Sequence, residues 1–237
     1  MTNRDPSRTH MKRPQGVPDN GRIANLSDGL FSIVFTLLVL ELRVPSIAGD
    51  QVAAELPLAL YHTLPKMAGY VLSFVVIGIY WVGQHNMLIH IKRHDRVLMW
   101  LNLLFLLCVG FMPFPVGLIV QYGQAQISVV VYAAVLVATG LSLDLMWWYA
   151  SANYRLVDAK MDPNLIAFVH RRVLLAPALY LMAIALSFVS IDLAKAVFLV
   201  VALAYIVPNP LDHYHHAEVH RYLNGEEDKT PSSEGHE

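Results

Sequence analysis

Six stretches of this sequence are apolar over lengths close to the thickness of a membrane, and this feature constrains the fold more than any other. A hydrocarbon core of about 30 Å needs roughly 20 apolar residues in an α-helix. Because lipid offers no hydrogen bonds to the backbone, each stretch predicts a transmembrane helix. The sequence therefore predicts an all-α integral membrane protein with six transmembrane helices. The predicted spans are residues 23–44, 64–89, 97–120, 127–149, 173–190 and 193–207.

Composition supports the membrane class and limits the partners. Of 237 residues, 56% are hydrophobic and only 15% are charged, whereas soluble domains carry about 25% charged residues. The formal net charge of −1 gives no overall field that would attract nucleic acid, so nucleic acid is not expected as a partner. Cys108 is the single cysteine, which excludes an intramolecular disulfide and argues against a cysteine-ligated metal site.

The flanking segments and the loops predict the domain limits and the orientation. Residues 1–21 and 211–237 are polar and contain proline, serine or glycine, so we expect a disordered arm and a polar tail around a membrane domain at 22–210. Fourteen of the 17 lysines and arginines fall in these flanks and in the loops on the same side of the predicted bundle. Loops rich in lysine and arginine stay in the cytoplasm, so both termini are predicted to be cytoplasmic.

The first span contains a carboxylate, Asp28, at membrane depth. Such a group is costly unless hydrogen-bond donors or a counter-charge surround it, so it is a functional or architectural residue. Counting about 1.5 Å per residue places His85 of the second span and Asn102 of the third at a similar depth. Indole, imidazole, amide and guanidinium groups can all donate to a carboxylate. The predicted polar network comprises Arg22, Ser27, Asp28, Trp81, His85 and Asn102.

Another face of the first span is apolar. At about 100° per residue, one stripe of this helix is formed by Gly29, Ile33, Thr36, Leu37 and Leu40. Asp28, Phe31 and Phe35 fall on a face turned away from it. The stripe alone fits ordinary lipid or helix contact as well as it fits a pore lining, and both interpretations stay open at this point.

The first half of the chain resembles a known family. Arg22 followed by Leu26-Ser27-Asp28-Gly29 is similar to the RxxxFSDG signature of the transmembrane protein 175 family of potassium channels, in its bacterial branch. Leu26 stands where the signature has phenylalanine. Residues 73–85 and 98–115 are similar to the second and third spans of that family. The resemblance covers residues 22–117, and the later half is similar only in having three more hydrophobic spans.

This resemblance implies a function and an assembly. Members of the family are homotetramers in which four first helices surround a pore without a re-entrant carbonyl filter. The family's constriction positions fall on Ile33, Leu37 and Leu40, and a hydroxyl-bearing pore position falls on Thr36. Arg22, Ser27, Asp28 and His85 match residues that brace the helix. We therefore expect a leak-type channel of the plasma membrane that permeates potassium, prefers it weakly over sodium and needs no cofactor.

Two other functions stay open. Asp28 and His85 are titratable groups at membrane depth, which is compatible with a proton-conducting channel. A membrane scaffold or small-molecule transporter is the second alternative. An enzyme is not expected, because intramembrane catalysis needs a nucleophile and base, or a metal set, at one depth.

Three polar features receive no role from the sequence. Asp144 lies deep in the fourth span without an evident partner, and Glu41 near the outer mouth could pair with Arg43 or face a pore. The histidines after the last span could include a zinc pair, but such residues are common at membrane interfaces, so no metal is predicted. These histidines are His213, His215 and His216.

Overall fold

A computed structural model describes residues 20–206, and this part of the chain is helical apart from short connections. The arm 1–21, except for Asn20 and Gly21, lies outside the described residues, as do the tail 211–237 and its histidine cluster. Within residues 20–206 the only β-type pairing is an isolated bridge between Ile91 and Val157. The helices are α1 (Asn20–Leu38), α2 (Val52–His90), α3 (Arg96–Phe111), α4 (Pro113–Tyr122), α5 (Gln126–Ser151), α6 (Pro163–Ser187) and α7 (Ile191–Ile206).

The expected all-helical membrane architecture is confirmed. Five helical segments are long and apolar enough to cross a membrane, namely residues 21–41, 52–90, 96–122, 126–154 and 163–187. The sixth predicted span corresponds to α7, whose 16 residues extend to the end of the described chain. Because α7 follows α6 after a short turn and packs against it, the two helices form a hairpin.

Several predicted helix boundaries were wrong. Helix α2 begins at Val52 rather than at residue 64, and it contains Pro57 and Pro65; membrane helices tolerate proline where neighbouring groups satisfy the freed carbonyls. Helix α6 begins at Pro163 rather than residue 173. Ile191 and Asp192, which lie between the fifth and sixth predicted spans, already belong to α7. Ser190 Oγ accepts a hydrogen bond of 3.3 Å from the Leu193 amide, which caps this helix start.

The third span is interrupted at its prolines. Helix α3 ends at Phe111 and α4 begins at Pro113, with Met112 between them. Proline lacks an amide hydrogen and clashes with the preceding turn, so the regular hydrogen-bond pattern of the helix is broken here.

Helix α5 forms the centre of the protomer. It packs against α3, α4 and α6, while α1 lies against α2, α3 and α4. Two hydroxyl contacts tie α2 to α5: Tyr80 donates to the Leu136 carbonyl at 2.7 Å, and the Ser73 and Tyr132 hydroxyls are 3.1 Å apart. The position of α2 against this centre sets where it presents its polar side chains to α1.

A polar contact also fixes the start of α3. Asp95 caps this helix by accepting from the Leu98 amide at 2.8 Å, and the Tyr149 hydroxyl donates to its other oxygen at 2.5 Å. Partial burial acts to raise the pKa of Asp95, but the Leu98 amide, the Tyr149 hydroxyl and the Arg155 charge together lower it below its ordinary value of 3.8. The ionised carboxylate therefore joins the start of α3 to the end of α5.

The Asp95→Asn variant tests this capping contact. Because folding lowers the pKa of Asp95, its contribution to stability is fully present above the ordinary carboxyl pKa and is lost as the pH falls through the lowered value. We expect Asp95→Asn to unfold at a lower temperature than the wild type at pH 7, and we expect this difference in unfolding temperature to be smaller in acid. Thermal unfolding in detergent at several pH values measures this, with Asp50→Asn in an exposed turn as the control. A difference in unfolding temperature that does not change with pH would contradict the stabilising role of the ionised Asp95 carboxylate.

Close packing between α5 and α6 depends on Gly140. A Cβ atom placed there would lie 3.0 Å from Pro177 Cδ and 3.4 Å from the Tyr80 hydroxyl oxygen, and closer still to Pro177 Cγ. The proline ring is rigid and Pro177 is buried, so it cannot move aside without shifting α6.

We expect Gly140→Ala to destabilise the fold by about 1–3 kcal/mol, the usual cost of overpacking. Gly69→Ala is the matched control, because a Cβ atom there meets only Val120 Cγ2 at an ordinary 3.6 Å. Thermal unfolding of both variants in the same detergent provides the comparison. Equal stability of the two would show that the α5–α6 contact is not tight at this glycine.

Candidate functional site on the first helix

One face of α1 is buried within the protomer. Ser27, Phe31, Val34 and Leu38 are each at most 1% exposed, and their spacing of four, three and four residues places them on one side of the helix. The Phe31 ring lies 6.1 Å from the ring of Phe105 on α3, and Phe35 lies 4.5 Å from Phe74 on α2. These contacts set the rotation of α1 about its axis.

The stripe expected to line a pore lies on the exposed face of α1. Ile33 is 56% exposed, Leu37 41% and Leu40 70%, and Gly29 and Thr36 are exposed as well. Leu40 extends beyond α1 into a short 3-10 turn. The Thr36 hydroxyl donates to the Ile33 carbonyl at 2.8 Å, so its proton is engaged and its oxygen lone pairs remain available as acceptors.

A buried amide joins α1, α2 and α3 behind this stripe. Gln84 Nε2 lies 2.6 Å from Asn102 Oδ1 and 2.9 Å from Ser27 Oγ, donating to both. Ser27 in turn donates to the Ile23 carbonyl at 2.9 Å. All three side chains are at most 2% exposed, so the hydrogen bonds lie within the packed seam between the helices.

Asp28 is held at the edge of this seam. Trp81 donates its indole N–H to Asp28 Oδ1 at 2.8 Å, and His85 stacks on Trp81 with ring centroids 5.6 Å apart. Asp28 is itself exposed in the protomer, although its place on the helix predicted a position turned inward. Arg22 is exposed and forms no hydrogen bond or ion pair with another residue of the described chain.

The described contacts divide the predicted network into two groups and leave Arg22 apart. Trp81 joins Asp28 by a hydrogen bond and His85 by stacking, while Ser27 and Asn102 are joined through Gln84. Gln84 was missed. It lies three residues after Trp81, which puts it about 60° away around α2, and this spacing could have identified it.

Asp144 has a partner that the sequence reasoning did not find. His170 Nδ1 on α6 lies 2.7 Å from Asp144 Oδ1 on α5. Asp144 is seven residues before the end of α5, and His170 is seven residues after the start of α6. Because the two helices are consecutive and antiparallel, the depth count that grouped Asp28 with Asn102 would have matched this pair if the fifth span had been predicted to begin at Pro163.

Glu41 does not form an ion pair with Arg43 or with any other residue between 20 and 206. Its carboxylate lies so close to the backbone of α4 that a Cβ atom at Gly117 would overlap it. In the same part of the chain, no group of three histidine, cysteine or acidic residues is arranged to hold a metal ion.

Comparison with known proteins places the chain in a family. The model of the family described as the endosomal/lysosomal potassium channel TMEM175 matches residues 22–113. A protein from Streptomyces collinus named as a potassium channel is 35% identical over 195 residues, which cover 79% of this chain and 91% of the relative. The chain belongs to the TMEM175 family. The family model ends at residue 113, close to residue 117, where the expected resemblance ends, whereas the alignment with the Streptomyces relative covers 195 residues and therefore continues into the later spans.

The fold agrees with this assignment. The crystal structure of a lysosomal potassium-selective channel TMEM175 homologue from Chamaesiphon minutus superposes with a TM-score of 0.70 at 31% identity, over 79% of this chain and 96% of that one. The human protein named as the endosomal/lysosomal proton channel TMEM175 is 32% identical over 97 residues, which are 39% of this chain but only 19% of the human one.

The Gln84 contacts predict a measurable coupling between α2 and α3. Gln84→Leu removes the donor of Asn102 Oδ1 and leaves Ser27 Oγ only the longer contact of 3.5 Å from Asn102 Nδ2. We expect the free energy of unfolding to fall by about 0.5–2 kcal/mol, the range of interhelical hydrogen bonds in membranes. The double variant Gln84→Leu/Asn102→Leu should lose less than the sum of the two single variants, since both partners become apolar. Unfolding in detergent measures the cycle, and strict additivity would contradict the network.

Proposed function

We propose that this protein is a potassium-permeable leak channel of the plasma membrane with both termini in the cytoplasm. In this proposal four copies assemble so that their α1 helices surround a central pore. The family membership and the name of the Streptomyces relative as a potassium channel support the choice of ion. The loop charges support the orientation.

One observation carries the pore proposal: α1 presents two different faces along its whole length. Ser27, Phe31, Val34 and Leu38 are buried in the protomer, while Ile33, Leu37 and Leu40 are exposed. From residue 29 to residue 40 the helix has no charged side chain. One side of α1 is packed within the protomer and the other side is apolar and exposed. If the α1 helices of several subunits face one another, their apolar sides are suited to line a narrow dry constriction.

The surroundings of this face favour contact with further subunits. An apolar groove between α1 and α3 lies beside the exposed stripe, and its walls include Leu26, Leu103 and Leu107. A neighbouring copy would cover the groove and bring a second α1 to the axis.

The chemistry of the stripe suggests how such a pore selects and closes. Aliphatic rings cannot replace the hydration shell of an ion by coordination, so they favour the ion whose shell is deformed more easily, which is potassium rather than sodium. A narrow ring of this kind also tends to dewet and act as a hydrophobic gate. The free lone pairs of the Thr36 oxygen would support a partly dehydrated cation beside the Ile33 ring.

Polar substitution in the stripe tests the proposal. In liposomes containing the purified protein, we expect Ile33→Asn and Leu37→Asn to raise sodium flux and bring it close to potassium flux, because an amide ring holds water. Flux is measured under separate potassium and sodium gradients. Leu181→Asn on α6 is the matched control, since Leu181 is 54% exposed, nearly the same as Ile33.

Unchanged selectivity in both stripe variants, or the same change in Leu181→Asn, would contradict a constriction at Ile33 and Leu37. A protein that stays monomeric in mild detergent and carries no ion flux would favour the scaffold or transporter alternative.

Proton conduction is the second candidate, favoured by the name of the human relative as a proton channel. Asp28 with its Trp81 donor, and His85 stacked on that indole, are the titratable groups closest to the stripe. Loss of proton flux in His85→Ala with potassium flux retained would support this second function. Retention of both fluxes would assign His85 to bracing alone.

A further inference from the structure

A cavity of about 640 Å³ lies between α2, α5, α6 and α7, away from the exposed stripe of α1. Its walls are mainly aliphatic and aromatic, and they include Val75, Leu143, Val173 and Val201. A cavity of this size and lining accepts an apolar chain.

A glycine of α2, Gly78, is part of the cavity wall. A Cβ atom at Gly78 would meet no atom within 4 Å, so any larger side chain there would project into open space. Along α2 the lining extends from Phe74 to His90, which is about 24 Å of helix at 1.5 Å per residue. One leaflet of the hydrocarbon core is about 15 Å thick, so the cavity is long enough for one acyl chain.

A cation lies at one end of this apolar space. Arg172 lines the cavity together with Asn86, and its guanidinium carbon is 4.8 Å from the centre of the Tyr205 ring. Arg172 is half-buried and forms no ion pair with a carboxylate of residues 20–206. A guanidinium with five N–H donors and no anion from residues 20–206 beside it fits a phosphate group.

The cation and the loops place this end of the cavity in one leaflet. His90 is the last residue of α2 and Tyr205 is near the end of the described α7, so both belong to the end of the bundle that bears the α2–α3 loop. That end carries most of the lysines and arginines and is predicted to be cytoplasmic, where anionic lipids attract basic residues.

We propose that this cavity is a binding site for an anionic phospholipid, whose phosphate contacts Arg172 and Asn86 while one acyl chain fills the space beside Gly78. Phe35 of α1 and Trp81 of α2 also line the cavity. The bound chain therefore packs against the residue that holds Asp28. This site does not depend on ion conduction, and its test does not measure flux.

Native mass spectrometry of the purified full-length protein tests the proposal, with phosphatidylglycerol and phosphatidylethanolamine added in turn. The wild-type protein should retain phosphatidylglycerol preferentially. Arg172→Gln should weaken phosphatidylglycerol binding about five- to tenfold, the range for one basic residue near a membrane surface, and Arg172→Lys should restore part of it. Arg171→Gln is the matched control, because Arg171 is the adjacent arginine, is exposed and does not line the cavity.

The acyl-chain part of the site has its own pair of variants. Gly78→Phe should weaken binding of both lipids by filling the cavity, whereas Gly78→Ala adds a single methyl group and should leave binding unchanged. An equal loss of phosphatidylglycerol binding in Arg172→Gln and Arg171→Gln would show that general charge attraction explains the binding. That result would overturn the headgroup site at Arg172. Full phosphatidylglycerol binding in a folded Gly78→Phe protein would overturn the cavity as the place of the chain.

Discussion

The seam between α1 and the pair α2–α3 is the contact on which the rest of the structure depends. Phe31 packs against Phe105 in this seam, and Gln84 joins Ser27 to Asn102 by hydrogen bonds within it. In lipid, apolar side chains gain little by leaving the bilayer, so close packing and interhelical hydrogen bonds must hold a helix in place. Because the seam fixes the rotation of α1, it also determines which residues remain on the outer face. The site is therefore a consequence of how the opposite face is packed.

The same seam separates two surfaces with different chemistry. On the outer side of α1, Ile33, Leu37 and Leu40 form an apolar face with a single hydroxyl among them. On the other side of α2, Gly78 leaves a cavity with Arg172 at its end. Trp81 lines the cavity and also donates to Asp28 on α1, so one side chain joins the cavity wall to the first helix.

The sequence predicted the spans and the buried and exposed faces of α1 because hydrophobic length and helical periodicity are strong local signals. It did not locate the start of α2, since Pro57 and Pro65 are helix breakers in water but are tolerated here. It also missed Gln84 and His170, each of which acts through a partner on another helix. Depth matching along antiparallel helices could have found both. By contrast, the cavity depends on how four helices pack, and no local pattern predicts it.

The central claim is that the outer face of α1 lines the conduction path. The most direct measurement replaces Cys108 by serine, introduces a single cysteine at Thr36, and follows potassium flux in liposomes while a water-soluble, charged thiol reagent is added. The account predicts that modification of Thr36→Cys blocks the flux, whereas modification of a cysteine at Leu181 on α6 leaves it unchanged. Full flux after complete modification at position 36 would contradict the claim.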